Sequence, residues 1–593
     1  MKKSKQFGML ALTGMAVLSL AACSGGGEKG GKANKETEKV DATSFPITVS
    51  NKEKPIKGGT LDVAMVTDSQ FQGLFLWELY SDNTDAQFMA PSHESLFSAD
   101  KDFQITDDGI AKLDIDKDKK QVKITLQKDV KWSDGEKLTI EDVMYPYEII
   151  GHKDYTGVRY DTTFTNVVGM DEYHSGKADT ISGIKKVDDK TLTIDFKEMN
   201  PSMMQSGGGV WSYAAPKHAL KDIAVKDLDS ADVVRKHPIT TGPYVMDKIT
   251  PGESVVYVPN KYYHGEKPKL DKIVFTTTPS ASVVEAMKSK KFDIALKVPT
   301  DMYPNYKDVE GYEILGREEQ SYTYIGFKQG KWDKEKNEVV TDPNAKMADK
   351  NLRQAMGYAL DNDSVGNEFY NGLRQNATAL IPPIFKTFHN SEMKGYTQDV
   401  EKAKKLLADA GYKDVDGDGL VEDKKGEKLV IKFASMSGGE TAQPLAEYYM
   451  DAWKEIGLDV QLTSGRLIDM QSFYDKLKQD DPEVDVYQGA WGVGSDPSPS
   501  GLYGRTAQFN YTRFADEKND ELLGAIDSEK SFDPDFRKKA FDEWQEYAFE
   551  EAFVIPTLYR HELQPVSKRV TGFDWNTDVY NVWEKVGVSS EER

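Results

Sequence analysis

Asp414, Asp416 and Asp418, followed by Gly419, set carboxylates at alternate positions before a glycine turn, which is how a loop begins to wrap a hard cation in oxygen ligands. The closing bidentate acid of such a loop falls at its twelfth position, here Lys425, and Glu422 at the ninth substitutes only in part. A polar turn between two elements accounts for the same residues, and no metal is assigned. The eight histidines, among them His93, His152, His174, His218 and His264, are scattered without metal-ligand spacing. The chain carries no G-x-S-x-G, no G-x-x-x-x-G-K-[ST] and no H-E-x-x-H, and Cys23 is its sole cysteine. Binding chemistry is therefore expected rather than catalysis, with no cofactor. The best site on physical grounds is the stretch Gly489-Ala490-Trp491-Gly492-Val493-Gly494-Ser495-Asp496-Pro497. Its glycines leave backbone N–H and C=O groups accessible, and Trp491 offers a broad apolar surface, although a core position would suit it equally.

The elements that must position this loop are set by hydrophobic period. Leu429 to Phe433 reads as a strand, and Leu445, Tyr449, Ala452, Trp453 and Ile456 recur at helical spacing before a stop at Gly457. Leu458, Val460 and Leu462 alternate as the next strand, Leu467 to Leu477 reads as a helix, and Val484 to Tyr487 as a third strand. This β-α-β-α-β order predicts a mostly parallel sheet in an α/β fold, and ligands of such sheets bind outside the carboxyl ends of the strands, where the loop lies. Two more helices are predicted at Asn351 to Asp361, with Asp349 as cap, and at Asp399 to Ala410, stopped by Gly411. The first half is richer in strands: Leu61 to Met65, then alternating Val122, Ile124 and Leu126, then Leu192, Ile194 and Phe196.

A chain of 593 residues exceeds what one core normally organises, so two or three domains are expected. Its formal charge of −22 repels another polyanion and argues against nucleic acid as a partner. At the N-terminus Lys2, Lys3 and Lys5 precede a short apolar run from Phe7 to Ala22, which has a signal-peptide layout and is too short to span a bilayer. The run ends Leu20-Ala21-Ala22-Cys23, and this resembles the lipobox of bacterial lipoproteins, where cleavage precedes a cysteine that then carries lipid. The Gly- and Lys-rich residues beyond it read as a flexible tether.

Several motifs recur together in one order: His93-Glu94-Ser95-Leu96-Phe97, Trp132-Ser133-Asp134-Gly135, Thr241-Gly242-Pro243-Tyr244, Asn260-Lys261-Tyr262-Tyr263, Asn351-Leu352-Arg353-Gln354-Ala355 and the Trp491 to Pro497 loop. On these the chain resembles the extracytoplasmic solute-binding proteins of the dipeptide and oligopeptide family, and Ile181-Ser182-Gly183-Ile184, Phe196 to Pro201 and Ile381-Pro382-Pro383-Ile384-Phe385 look closest to the large oligopeptide-binding lipoproteins of Gram-positive lactic-acid-type bacteria. The resemblance implies a two-lobed periplasmic-binding-protein-like fold of class II type. In it, 1–22 is a signal peptide, 23–56 the lipidated cysteine and tether, 57–90, 240–321 and 558–593 the first-lobe core, 91–239 an extra subdomain, and 322–557 the second lobe.

It further implies a monomeric, non-enzymatic receptor, lipid-anchored on the outer face of the cell membrane. Such a receptor captures oligopeptides by their main chains and passes them to the permease subunits of an ABC transporter with cytoplasmic ATPases. Carried over by position, Glu94, Ser95 and Leu96 line the first-lobe side of the site, Ala490, Trp491 and Gly492 the second-lobe side, and Tyr559 an aromatic strand edge near the hinge. Many relatives place an acid three residues after the loop tryptophan to receive the peptide's amino group; here that residue is Gly494, and Asp496 lies two further on. The same fold tuned to a signalling peptide or another solute is an alternative, as are an extracellular peptidase and an adhesive or chaperone-like lipoprotein.

Overall fold

The computed structural model describes residues 40–593, so the expected signal peptide and Cys23 lie outside the described residues. Eleven strands join in one sheet: β1 Thr60–Val66, β2 Tyr244–Thr250, β3 Ser254–Pro259, β4 Lys272–Thr278, β5 Ile294–Leu296, β6 Tyr312–Phe327, β7 Arg374–Asn376, β8 Val430–Ala434, β9 Asp459–Leu462, β10 Val486–Gly492 and β11 Val554–Ser567. Across the sheet they run β9-β8-β10-β6-β11-β5-β1-β4-β3-β2, with β7 added on β11.

Two of these strands are unusually long, 16 residues in β6 and 14 in β11, and they pair antiparallel from Tyr312 opposite Ser567 to Gly326 opposite Val554. β5 joins the ribbon near its first end, at Ile294 and Val566, whereas β10 pairs with β6 only over Ser321–Phe327 at the other. Each end of the ribbon therefore floors a different lobe. Between them the register breaks, because β6 advances from Glu318 to Tyr322 while β11 moves only from His561 to Tyr559.

In the first lobe β1 lies between parallel β4 and β5, covered on both faces, which is why Leu61, Val63, Ala64, Met65 and Val66 are all buried. In the second lobe β8 pairs parallel with both β9 and β10, as the β-α-β-α-β pattern predicts. Its helix Ala442–Glu455 buries Leu445, Ala446, Tyr449, Ala452 and Trp453, and the chain turns at Gly457 with φ +88°. The helix expected from Leu467 begins instead at Met470, because the Asp469 carboxylate accepts the Ser472 N–H at 3.0 Å and caps it there. A separate four-stranded antiparallel sheet, formed by Ala111–Asp116, Gln121–Leu126, Thr191–Asp195 and Ile184–Lys186, buries the alternating Val122, Ile124, Leu126, Leu192 and Ile194 of the insert. No helix among the described residues is long and apolar enough to cross a membrane.

The stretch from Ala42, expected to belong to a tether reaching residue 56, is packed on the fold. Ala42 and Val49 are buried, Phe45 meets Tyr303 edge-on at 5.8 Å, and the Pro46 carbonyl accepts the Gly316 N–H at 3.0 Å. The cause is the alternation of Phe45, Ile47 and Val49, which gives this short stretch an apolar side to bury.

The first lobe is tied by Arg569, whose guanidinium donates to both Asp293 oxygens at 2.7 and 2.8 Å and to the Thr60 carbonyl at 2.9 Å, with the Asp293 side chain fully buried. Removing one partner of such a pair leaves an uncompensated buried charge. Arg569→Met is expected to cost about 3–5 kcal/mol in urea unfolding, and Asp293→Ala a similar amount.

Candidate ligand cleft

Just past β10 the Val493 N–H donates to the Gln320 carbonyl at 2.8 Å, and on the strand Trp491 stands opposite Tyr322. Strand groups alternate in direction, so Gly489 and Trp491 turn their backbone N–H and C=O toward β6, while Ala490 and Gly492 turn theirs to the opposite edge. Pairing with β8 stops at Tyr487, and beyond it this edge has no strand partner among the described residues. Gly492 is exposed, with open space where a side chain would stand. Gly489 is confined instead: an added Cβ would lie 2.8 Å from the Tyr324 ring.

Trp491 is half-buried. It stacks on Tyr324 at 6.1 Å and on Tyr511 at 5.7 Å, and Phe509, 53% exposed, meets it edge-on at 5.7 Å. Its ring is thus fixed by the second-lobe core and still extends that apolar surface outward, so the core reading and the site reading each hold for part of the ring.

Gln320 links this edge to a cavity, for it lines a chamber of about 370 Å³ while its side-chain amide donates to the Gly494 carbonyl at 3.0 Å. His93, Glu94, Ser95, Trp575 and Tyr580 also line this chamber. A second chamber of about 390 Å³ shares Arg317, Asn576 and Thr577 and adds Glu318 and Lys386. The Glu94 carboxylate is turned inward, accepting from the Tyr263 hydroxyl at 3.1 Å with His264 Nε2 at 3.0 Å, and burial pushes its pKa up. Ser95 donates its hydroxyl to the Ser212 carbonyl at 3.2 Å, and its own carbonyl accepts from Tyr580.

Two expected site residues are corrected. Leu96 is buried in the insert core, with its N–H on the Ser212 carbonyl at 2.7 Å and its carbonyl accepting Ala111 N–H at 2.8 Å, so nothing of it reaches the cleft. Tyr559 is buried too, and its hydroxyl donates to the Ala379 carbonyl at 2.7 Å and accepts the Ala379 N–H at 2.8 Å. Asp496 accepts the Ser498 N–H at 3.1 Å and lies 3.7 Å from the Arg537 guanidinium. Asp414, Asp416 and Asp418 do converge, with ligand atoms within 4.8 Å, but all are exposed, and the Glu422 carboxylate accepts the Val415 N–H at 2.8 Å.

Sequence reasoning did not single out Arg317, Gln320, Trp575 or Tyr580. No local motif marks them, because they meet only when the ribbon brings β6 beside the C-terminal segment. Arg317 donates to Glu562 at 2.7 Å and to the Trp575 carbonyl at 3.1 Å, with its guanidinium 4.1 Å from the Trp575 ring centre.

Two lobes bridged by a long strand pair, with a cavity and an open strand edge beside the crossing, are the arrangement of a solute-binding protein. Residues 105–512 match the middle portion of the bacterial extracellular solute-binding proteins, family 5. The chain belongs to this family. It is 37% identical to the oligopeptide-binding protein OppA of Lactococcus lactis subsp. lactis over 563 residues, covering 93% of this chain and 94% of that protein. It is 23% identical to the oligopeptide-binding protein AppA of Bacillus subtilis over 97% of both chains. The structure of lactococcal OppA complexed with an endogenous peptide in the closed conformation superposes with a TM-score of 0.81 at 38% identity, over 90% of this chain and all of that one.

Behind the cavity wall formed by stacked Trp77 and Tyr213, the fully buried Glu78 accepts the Trp211 indole N–H at 3.1 Å, and burial pushes its pKa up to about 7. The folded state then holds a proton that the unfolded state releases from about pH 4.5, so this residue's contribution is full below that pH and is lost as pH rises toward 7. Glu78→Gln is expected to remove a fall in unfolding free energy of about 2–3 kcal/mol across that window, measured by urea titration at several pH values.

Proposed function

We propose that this chain captures oligopeptides outside the cell and delivers them to the permease subunits of an ABC importer. The observation that carries the reading is the unpaired edge at Ala490 and Gly492, whose outward N–H and C=O groups can take a peptide main chain as an added strand beside the two chambers. Backbone bonding supplies affinity without regard to sequence, while side chains enter spaces large enough to keep water. The name of the lactococcal relative and the peptide in its solved structure support the same ligand class. The reading includes a first-lobe core of 57–90, 240–321 and 558–593, an extra subdomain at 91–239 and a second lobe at 322–557, and the register break after Glu318 supports the last boundary. It includes a monomer held on the membrane by lipid at Cys23.

Native mass spectrometry of freshly purified protein is expected to show co-purified peptides of mixed sequence. A single non-peptide solute would overturn the reading. The peptide's amino group is expected to lack a firm anchor, because Gly494 has no carboxylate and Asp496 is engaged by Arg537 and the Ser498 N–H. A charge-assisted bond contributes about 1.5–3 kcal/mol. With none to lose, N-terminal acetylation of a nonapeptide should weaken calorimetric affinity by less than tenfold, about 1.4 kcal/mol. Cys23→Ser is expected to yield a folded chain that leaves the membrane fraction or persists as an unprocessed precursor; membrane retention of a processed mutant would refute the anchor.

A further inference from the structure

Away from the ribbon, the insert and the second lobe touch at a second place. Phe103 stands on a tight turn of the insert, where the Asp100 carboxylate accepts the N–H groups of Asp102 and Gln104, both at 2.9 Å. Its φ is +62°, a left-handed conformation in which a bulky side chain is strained. The ring is 6% exposed and packs in the second-lobe core, 5.5 Å from Phe385. Beside it, Gln104 pairs with Gln205, and the Gln205 side-chain carbonyl accepts from Arg537 Nη2 at 3.1 Å. Arg537 belongs to helix Pro534–Glu551 of the second lobe, is 3% exposed, and lies over the Phe388 ring at 4.8 Å. Phe532, just before that helix, packs against the insert core under the Lys117 ammonium, 5.1 Å from its ring centre.

The insert rides on the first lobe. Leu76 and Leu79 share a core with Tyr145 and Ile149, and the Gly242 N–H donates to the Ser92 carbonyl at 2.8 Å. Any opening at the ribbon must therefore pull Phe103 and Gln205 away from Phe385 and Arg537. We propose that these four residues form a latch that sets how long the cleft stays closed.

The contact is balanced rather than permanent. Closure buries aromatic surface, but it also holds Phe103 in a strained conformation and leaves Arg537 Nε and Gln205 Nε2 buried without a partner among the described residues. Opening relaxes the turn and returns both polar groups to water. A latch of this kind holds a ligand and still releases it.

The test places spin labels at Lys221→Cys in the insert and Lys405→Cys in the second lobe of the Cys23→Ser chain, which has no other thiol. Pulsed dipolar spectroscopy then reads the closed, short-distance fraction with and without a saturating nonapeptide. Phe103→Ala and Arg537→Met are each expected to lower that fraction at least threefold and to raise the peptide off-rate at least tenfold. Phe103→Leu should restore most of both, and the thermal midpoint of the unliganded chain should hold. The latch is overturned if both variants keep the parental closed fraction, if the parent shows no closed fraction in either condition, or if the losses merely follow unfolding in all variants. A closed fraction that falls in the variants while peptide alters nothing would support the latch and count against the peptide reading.

Discussion

The pairing of β6 with β11 is the constraint on which the remaining architecture depends. Both lobes hang from this ribbon, and the break in it decides where they can move. Three residues of β6, Glu319, Gln320 and Ser321, stand against Arg560 alone on β11. A bulge of this kind bends a strand and re-aims the residues beyond it. The same three residues hold the site: Gln320 binds the end of β10 through its carbonyl and side chain, Ser321 pairs with Gly492, and Glu319 meets Arg560 at 3.0 Å. A small rotation at the bulge therefore carries the open strand edge relative to the chambers and parts the insert from the second-lobe core at Phe103.

Charges at the crossing make that geometry specific. Glu562 is nearly buried, and although burial disfavours its charge, Lys297 and Arg317, each at 2.7 Å, outweigh it and hold the carboxyl below the usual range. Buried pairs of this sort contribute little net stability against an apolar alternative, but each partner makes the other's place costly to change. Arg317 extends the constraint to the Trp575 carbonyl and so to the C-terminal wall of the cavity. The N-terminal stretch from Ala42 adds to it, since the Trp575 N–H donates to the Ile47 carbonyl at 3.1 Å.

Local chemistry was legible in the sequence where one element decides the outcome. The helix over 350–358 is capped by Asp349, the helix over 400–410 stops at Gly411, and the parallel set β8, β9 and β10 is given by period alone. The stretch from Gly489 was expected as a loop with accessible backbone, but Gly489 to Gly492 continue β10, and the accessible groups lie on its edge at Ala490 and Gly492. Beyond reach were meetings between distant segments. Nothing near Leu96 or Tyr559 signals that both are enclosed, because the atoms enclosing them come from Ser212, Ala111 and Ala379. The alternation of Phe45, Ile47 and Val49 was legible too, since it gives the residues before 57 an apolar side to pack, contrary to a tether reaching 56.

The charged groups along the cleft favour permissive binding in the proposed receptor. Glu94 is enclosed by Tyr263 and His264, Arg317 is held by Glu562, and Asp496 faces Arg537. A ligand charge placed beside any of them must displace an existing partner and recover only the difference. Glu318 and Lys386 have no ion pair among the described residues, and they line the same chamber, where the lysine opposes the upward push of burial on the Glu318 carboxyl. Charges of opposite sign in one chamber accommodate an acidic or a basic side chain with similar ease. On the proposed reading, affinity resides in the backbone edge, which every peptide can satisfy, and selection among peptides falls to length and to the apolar surface around Trp491 and Phe509.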